Sequence, residues 1–155
     1  MIADIGLGSN LGDRLGHLQF AVDGLAAAGC VILAVSRVYE TAPVGGPGGQ
    51  GPYLNAVVRV GTDLDPWSLL ALAHELEAGA GRVRDERWGP RTLDVDLLRC
   101  GGFVCADPAL TVPHPRMHER AFVLVPLADV DPQVSMGGVD TAGVDLRPDL
   151  ALVLP

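Results

Sequence analysis

The sequence predicts an α+β fold, a ferredoxin-like β-α-β-β-α-β sandwich with a C-terminal extension, in which helices pack on an antiparallel sheet. Three observations carry this expectation. Four segments have strand-like apolar patterning, two segments with helical periodicity fall between them in that order, and the 155 residues suit one domain.

The first strand rests on Ala3, Ile5 and Leu7, which alternate with Ile2, Asp4 and Gly6. Leu11, Leu15, Leu18, Val22 and Leu25 then recur at spacings of four and three, one face of an amphipathic helix, and Gly29 is a natural stop. Asn10 or Asp13 would cap it. Residues 31–40 (VILAVSRVYE) read as the second strand and residues 53–60 (YLNAVVRV) as the third. Between them, residues 43–52 are almost wholly Gly and Pro and predict a loop. Asp65 followed by Pro66 starts the second helix, which buries Leu69, Leu72, Ala73 and Leu76 and ends at Gly79 and Gly81. Residues 92–98 (TLDVDLL) complete the sheet. A short hairpin is expected near 103–112, a helix around 116–128, and an irregular tail after it. With two helices on one face, the other face is left for ligands or further elements. There is no internal repeat or domain boundary, so residues 1–155 are expected to form a single domain.

Composition narrows the function. At 48% hydrophobic and 19% charged the chain is globular in character, and a net charge of −8 argues against nucleic acid or an anionic membrane as partner. No apolar run approaches the length of a membrane span, and no cationic leader precedes the first strand, so a cytoplasmic location is expected. The three cysteines, Cys30, Cys100 and Cys105, have no metal-site spacing and read as small apolar side chains. All eleven basic residues are arginine. Without lysine there can be neither a Walker-A phosphate loop nor a Schiff-base nucleophile. Phosphate handling would fall to arginine, backbone amides or metal.

Asp94 and Asp96 lie two apart on a predicted strand, so both carboxylates share a face while Leu93, Val95 and Leu97 point into the core. Paired acids suit Mg²⁺ bridged to phosphates, although solvated acids on a half-exposed strand have the same pattern. The segment before them, RVRDERWGPR at 82–91, carries +2 in a protein whose remainder carries −10. Arginine forks grip phosphate oxygens in pairs. His114 stands between Pro113 and Pro115, which stiffen the chain around it. Tyr53 and Asn55 share a strand face, an aromatic ring beside an amide, a platform for a flat heterocycle. The glycines at 6, 8 and 12 do not fit a dinucleotide fingerprint and read as a strand-to-helix turn.

Taken together, GSN at 8–10, Tyr53-Leu54-Asn55, Glu77, GRVR at 81–84, RWGPRTLDVD at 87–96, LTVPH at 110–114, and Arg120 with Phe122 resemble the 6-hydroxymethyl-7,8-dihydropterin pyrophosphokinase family. The resemblance runs from the first strand to about residue 128. It implies transfer of pyrophosphate from ATP to 6-hydroxymethyl-7,8-dihydropterin in folate biosynthesis. It also implies two Mg²⁺ ions on Asp94 and Asp96, with Arg82 and Arg91 acting beside them in catalysis. ATP contacts are implied at Glu77, Arg84, Trp88, Arg91, Leu97, Thr111, His114 and Arg120. The pterin would lie between Tyr53 and Phe122, read by Asn55 and by groups near Thr41, Pro43 and Val44. The Gly-rich and Arg-rich loops would close over the substrates. Ala42, Ala109 and Pro115 depart from the family pattern, which points to a softer pterin-side loop and weaker nucleotide contacts. A monomer is expected. The rival readings are a nucleotide-binding module without catalysis and a metal-dependent phosphohydrolase that uses water as acceptor.

Overall fold

The computed structural model describes residues 1–42, 50–81 and 92–155. In chain order these form β1 (Ile2–Ser9), α1 (Arg14–Ala27), β2 (Val31–Val35), β3 (Tyr39–Thr41), β4 (Tyr53–Gly61), α2 (Pro66–Gly79) and β5 (Asp94–Cys100). Then follow β6 (Cys105–Asp107), β7 (Leu110–Val112), a 3-10 turn (Met117–Glu119), α3 (Ala121–Val130) and β8 (Asp145–Leu146). The main sheet runs β5-β1-β4-β3-β8, with β2 also on β4, and its pairs are antiparallel. β6 and β7 make the expected small hairpin.

Two apolar clusters lie on opposite faces of this sheet. The larger joins Leu18, Val22 and Leu25 of α1 and Leu69, Ala73 and Leu76 of α2 to Ile5, Leu54, Val58 and Leu97. The smaller joins Val123, Leu127 and Val130 of α3 to Val57 and Leu98. Each residue's side follows from strand alternation except at two register shifts, one between Ile32 and Ala34 in the β2–β4 pairing, which puts Ala34 on the α3 side, and one in the β1–β5 pairing. The β1–β5 shift pairs Ile5 with Leu97 and Asp4 with Arg99, so Leu98 and Arg99 both fall on the α3 side.

Of the two caps offered for the first helix, Asp13 takes the position while the Asn10 side-chain amide donates to Gln50, and the second helix begins at Asp65 as expected. Asp13 accepts from the Gly16 amide at 3.1 Å, and Asp65 accepts from the Ser68 amide at 3.0 Å with Pro66 opening α2. Gly29 and Gly81 take the left-handed backbone just past the two helices.

Several boundaries differ from expectation. Leu11 precedes α1 and is 48% exposed, so it does not belong to the buried stripe. Leu72 is only partly buried, and the inner position is taken by Glu77. The second strand divides at Ser36, whose hydroxyl accepts the Val57 amide and donates to the Arg37 carbonyl. That local bond replaces part of the ladder and splits the strand into β2 and β3. The helix expected around 116–128 is the 3-10 turn followed by α3. The tail is not wholly irregular, because β8 pairs with β3 and Leu152 is buried in the larger cluster. Among the described residues, no helix is long and apolar enough to cross a membrane.

Candidate functional site

On the α3 side of the sheet, strand register sets out the site in rows. Asn55 of β4 lies opposite Gly8 of β1, which lies opposite Asp94 of β5. In the next row Val57 faces Gly6, and Gly6 faces Asp96. The two acids therefore share a face, as the spacing predicts, with Val95 and Leu97 buried behind them.

The glycines of β1 form the floor. A Cβ on Gly8 would lie 3.7 Å from the Asn55 amide oxygen, 3.7 Å from the Tyr53 ring and 3.9 Å from the Asp94 Cβ. Any longer side chain there would fill the space between the aromatic-amide pair and the acid pair. Gly8 belongs to β1, not to the strand-to-helix turn read from the sequence. A strand glycine that keeps a floor open is the signal that could have placed it in the site.

Above this floor lies a cleft of about 1130 Å³. Its volume slightly exceeds the usual range for a single ligand pocket. All of the predicted site residues that are described line it: Thr41, Tyr53 and Asn55 on one side, Asp94, Asp96 and Leu97 of the edge strand β5 with Glu77 of α2 beside it, and Thr111, His114, Arg120 and Phe122. Pro43, Val44, Arg82, Arg84, Trp88 and Arg91 lie outside the described residues.

The hydrogen bonds fix several of these groups. The Asn55 side-chain amide donates to Thr41 Oγ1 at 2.8 Å, which orients it from the neighbouring strand β3. Glu77 is 3% exposed, and its Oε2 accepts from the Val95 amide at 3.0 Å. It thereby holds the backbone between the two acids. His114 Nδ1 accepts from the Arg116 amide at 3.3 Å, while its own amide donates to the Leu98 carbonyl. An accepting Nδ1 leaves the proton on Nε2. Burial, with Arg120 and Arg116 nearby, holds the imidazole below its ordinary pKa and so neutral. The Arg120 guanidinium lies 5.6 Å from the Phe122 ring centre.

α3 is pinned over this face from its far end. The Tyr39 hydroxyl donates to Asp129 Oδ2 at 2.7 Å, and Arg37 donates to both oxygens of the same carboxylate. Burial and this bond push the Tyr39 phenol up to about 12. Burial alone would raise the Asp129 carboxyl, but the bonds from Arg37 and Tyr39 outweigh it and hold it low. Beyond them, Asp4 is 2% exposed and receives Arg59 at 2.7 Å and Arg99 at 2.7 Å, and both arginines reach Asp131 at the end of α3. Sequence reasoning missed both networks. Their partners lie as far as 95 residues apart, and nothing in the spacing joins them.

The donor set tests well against a hard cation. Two carboxylates on one face, with glycine opposite each, offer oxygen ligands and leave room for water or phosphate oxygens. Among the described residues there is no cluster of three or more acids, histidines or cysteines. With these two carboxylates as its protein ligands, a Mg²⁺ held here would keep most of its positions for substrate and water, as that ion prefers.

A packed face, a cleft on the opposite face, and an acid pair set against an aromatic-amide pair together mark a mixed helix-and-sheet protein with a candidate small-molecule site. The 7,8-dihydro-6-hydroxymethylpterin-pyrophosphokinase family model matches residues 4–132, and the chain belongs to that family. A 2-amino-4-hydroxy-6-hydroxymethyldihydropteridine pyrophosphokinase of Methylorubrum extorquens is 46% identical over 137 residues, covering 88% of this chain and 86% of that protein. A pyrophosphokinase of the same name from Bacillus subtilis is 47% identical, covering 86% and 80%. One from Mycobacterium leprae is 49% identical, covering 82% and 70%. Among solved structures, the Plasmodium falciparum HPPK-DHPS crystallised with pteroate has a similar fold, with a TM-score of 0.68 at 14% identity over 90% of this chain. This chain spans 42% of that one.

Proposed function

We propose that this protein transfers pyrophosphate from ATP to 6-hydroxymethyl-7,8-dihydropterin, yielding AMP and the dihydropterin pyrophosphate, a step of folate biosynthesis. Family membership supports the reaction. The observation that carries its assignment to this cleft is the gathering of every described candidate residue around one space.

In this reading the pterin lies between the rings of Tyr53 and Phe122, and Asn55, oriented by Thr41, reads its edge. ATP lies along β5 toward His114 and Arg120. The hydroxymethyl oxygen forms a bond to the β-phosphorus as the bond from that phosphorus to the α,β-bridging oxygen breaks; AMP leaves, and the hydroxyl proton is released. Transfer of this kind depends mainly on positioning and charge stabilisation. Asp94 and Asp96 would hold Mg²⁺, two ions in the fuller reading, and bound Mg²⁺ supplies charge neutralisation at the phosphates. Glu77 keeps the strand between the two acids in place. His114 Nε2–H donates to phosphate without adding a charge. Arg82 and Arg91 act in catalysis, with Arg84 and Trp88 on the nucleotide and Pro43 and Val44 on the pterin, as the family resemblance implies. Arg82→Ala should then lower kcat far more than ATP affinity.

The β-α-β-β-α-β core of ferredoxin-like type is supported by the β5-β1-β4-β3 order with α1 and α2 on one face. Residues 1–155 are read as one domain acting as a monomer, in the cytoplasm where ATP is at hand.

The test is AMP formation followed by chromatography, with ATP and MgCl₂, with and without the pterin. AMP that needs the pterin and vanishes with EDTA is the expected result. Nucleotide hydrolysis without pterin would make the protein a phosphohydrolase. ATP binding without turnover would make it a binding module.

A further inference from the structure

The family match ends at residue 132, but the cleft does not. Ala142, Gly143 and Val144 line it together with Thr41 and Ala42. β8 follows directly and pairs antiparallel with β3, Leu146 on Tyr39 and Asp145 on Glu40. That register runs Val144 beside Thr41. Arg147 closes the arrangement. Its amide donates to the Val38 carbonyl at 2.9 Å, and its guanidinium reaches Glu40 Oε2 at 2.9 Å while gripping Asp149. Arg14 of α1 meets the same Glu40 oxygen at 2.7 Å and also donates to the Pro52 carbonyl at 3.0 Å. Glu40 is thus held from two sides, immediately before Thr41, the residue that orients Asn55.

We propose that the segment from Ala142 to Val144 is a specificity-determining wall of the cleft on its heterocycle side, held in place by β8, with Arg147 as a positioning residue acting through Glu40 and Thr41 on Asn55. This deepens the pyrophosphokinase reading and rests on it. β3 is short, three residues, and β8 covers its outer edge. Without that cover it would be an exposed edge, held to the sheet by β4 alone. The tail's farther anchor is separate. Gln19 exchanges two hydrogen bonds of 2.8 Å with the backbone of Val153, and Leu152 packs in the core. Loss of the Arg147 contacts would therefore loosen the wall without undocking the tail.

Steady-state kinetics on the full chain test this, with both substrates varied and thermal unfolding measured alongside. Arg147→Met and Gly143→Val should each raise KM for the pterin while leaving KM for ATP near its starting value. Gly143 has φ +83° with no atom within 4 Å of a built Cβ, so valine strains the local backbone without a clash. A rise of about tenfold is expected for Arg147→Met, the size of losing one charge-assisted hydrogen bond, and Arg147→Lys should recover part of it. An unchanged pterin KM in folded variants, or equal rises for both substrates, would overturn the assignment. Failure of the underlying reading shows instead in the unaltered protein, as an absence of pterin-dependent AMP, and would take this inference with it.

Discussion

Toward α1 and α2 the sheet presents Ala3, Ile5 and Leu7 of β1, Leu54, Ala56, Val58 and Val60 of β4, and Val95 and Leu97 of β5. Turned over, the same strands present Asp4, Gly6 and Gly8, then Tyr53, Asn55, Val57 and Arg59, then Asp94, Asp96 and Leu98. Both faces come from the same period of two. The first is filled with branched apolar side chains and sealed by two helices. Among the described residues the second is sealed only in part, by α3 over Val57 and Leu98, and the rest of it holds the acids, the amide and the glycines. Stability is concentrated on the first face and the candidate chemistry on the second. The polar anchors of α3, Asp129 and Asp131, lie on the second face and mark the boundary of its sealed part.

The largest expected effect tests the open face. Asp94→Ala should cut turnover by about 10²–10³-fold or more, the scale of removing a preorganised electrostatic contact, with an unchanged circular dichroism spectrum. A comparable fall in thermal stability would mean that the acids serve the fold and would dissolve the contrast. Leu25→Ala on the sealed face should do the opposite. It should destabilise by roughly 2–5 kcal/mol in denaturant unfolding while leaving kcat per folded molecule unaltered. The boundary should respond in proportion. Tyr39→Phe removes the hydroxyl bond to Asp129 and should cost about 1.5–3 kcal/mol. In the intact protein the Tyr39 phenol should titrate near 12, read from tyrosinate absorbance.

The smallest effect is one of pH. The His114 imidazole titrates below its ordinary 6.5, chiefly because it is buried and secondly because of Arg120 and Arg116. Well above 6.5 the residue is neutral in folded and unfolded chains alike and has no influence on stability. As pH falls below 6.5 the unfolded chain binds the proton first, so stability is lost toward acid. An NMR titration should place the midpoint below 6.5 and move it upward in Arg120→Ala. A midpoint at or above 6.5 would remove the neutral donor from the account.

How legible all this was in the sequence follows from the range of each signal. The acids at 94 and 96, the pair at 53 and 55, and the helix caps at 13 and 65 are local patterns, and each stands where the pattern put it. The break at Ser36 was hidden because it depends on a bond to Val57, 21 residues away. Asp4 reads as an ordinary polar position on a strand, yet it is buried among arginines from two other strands. Gly8 reads as part of a turn because a short glycine motif invites that reading, whereas pairing with Asn55 and Asp94 makes it floor. The tail carries no strong periodicity, so neither β8 nor its place beside Thr41 could be foreseen. Local chemistry survives in a sequence, while contacts between distant segments emerge only when the strands are set in register.

The most direct measurement is the turnover of Asp96→Asn, which keeps the shape of the side chain and removes its charge. Purified protein would be mixed with ATP, MgCl₂ and 6-hydroxymethyl-7,8-dihydropterin, with AMP followed over time against the unaltered chain. The account predicts a folded protein of normal stability with AMP release reduced to a trace. AMP release near the unaltered rate would contradict it, because the open face would then be a place where substrates rest and not where pyrophosphate is transferred.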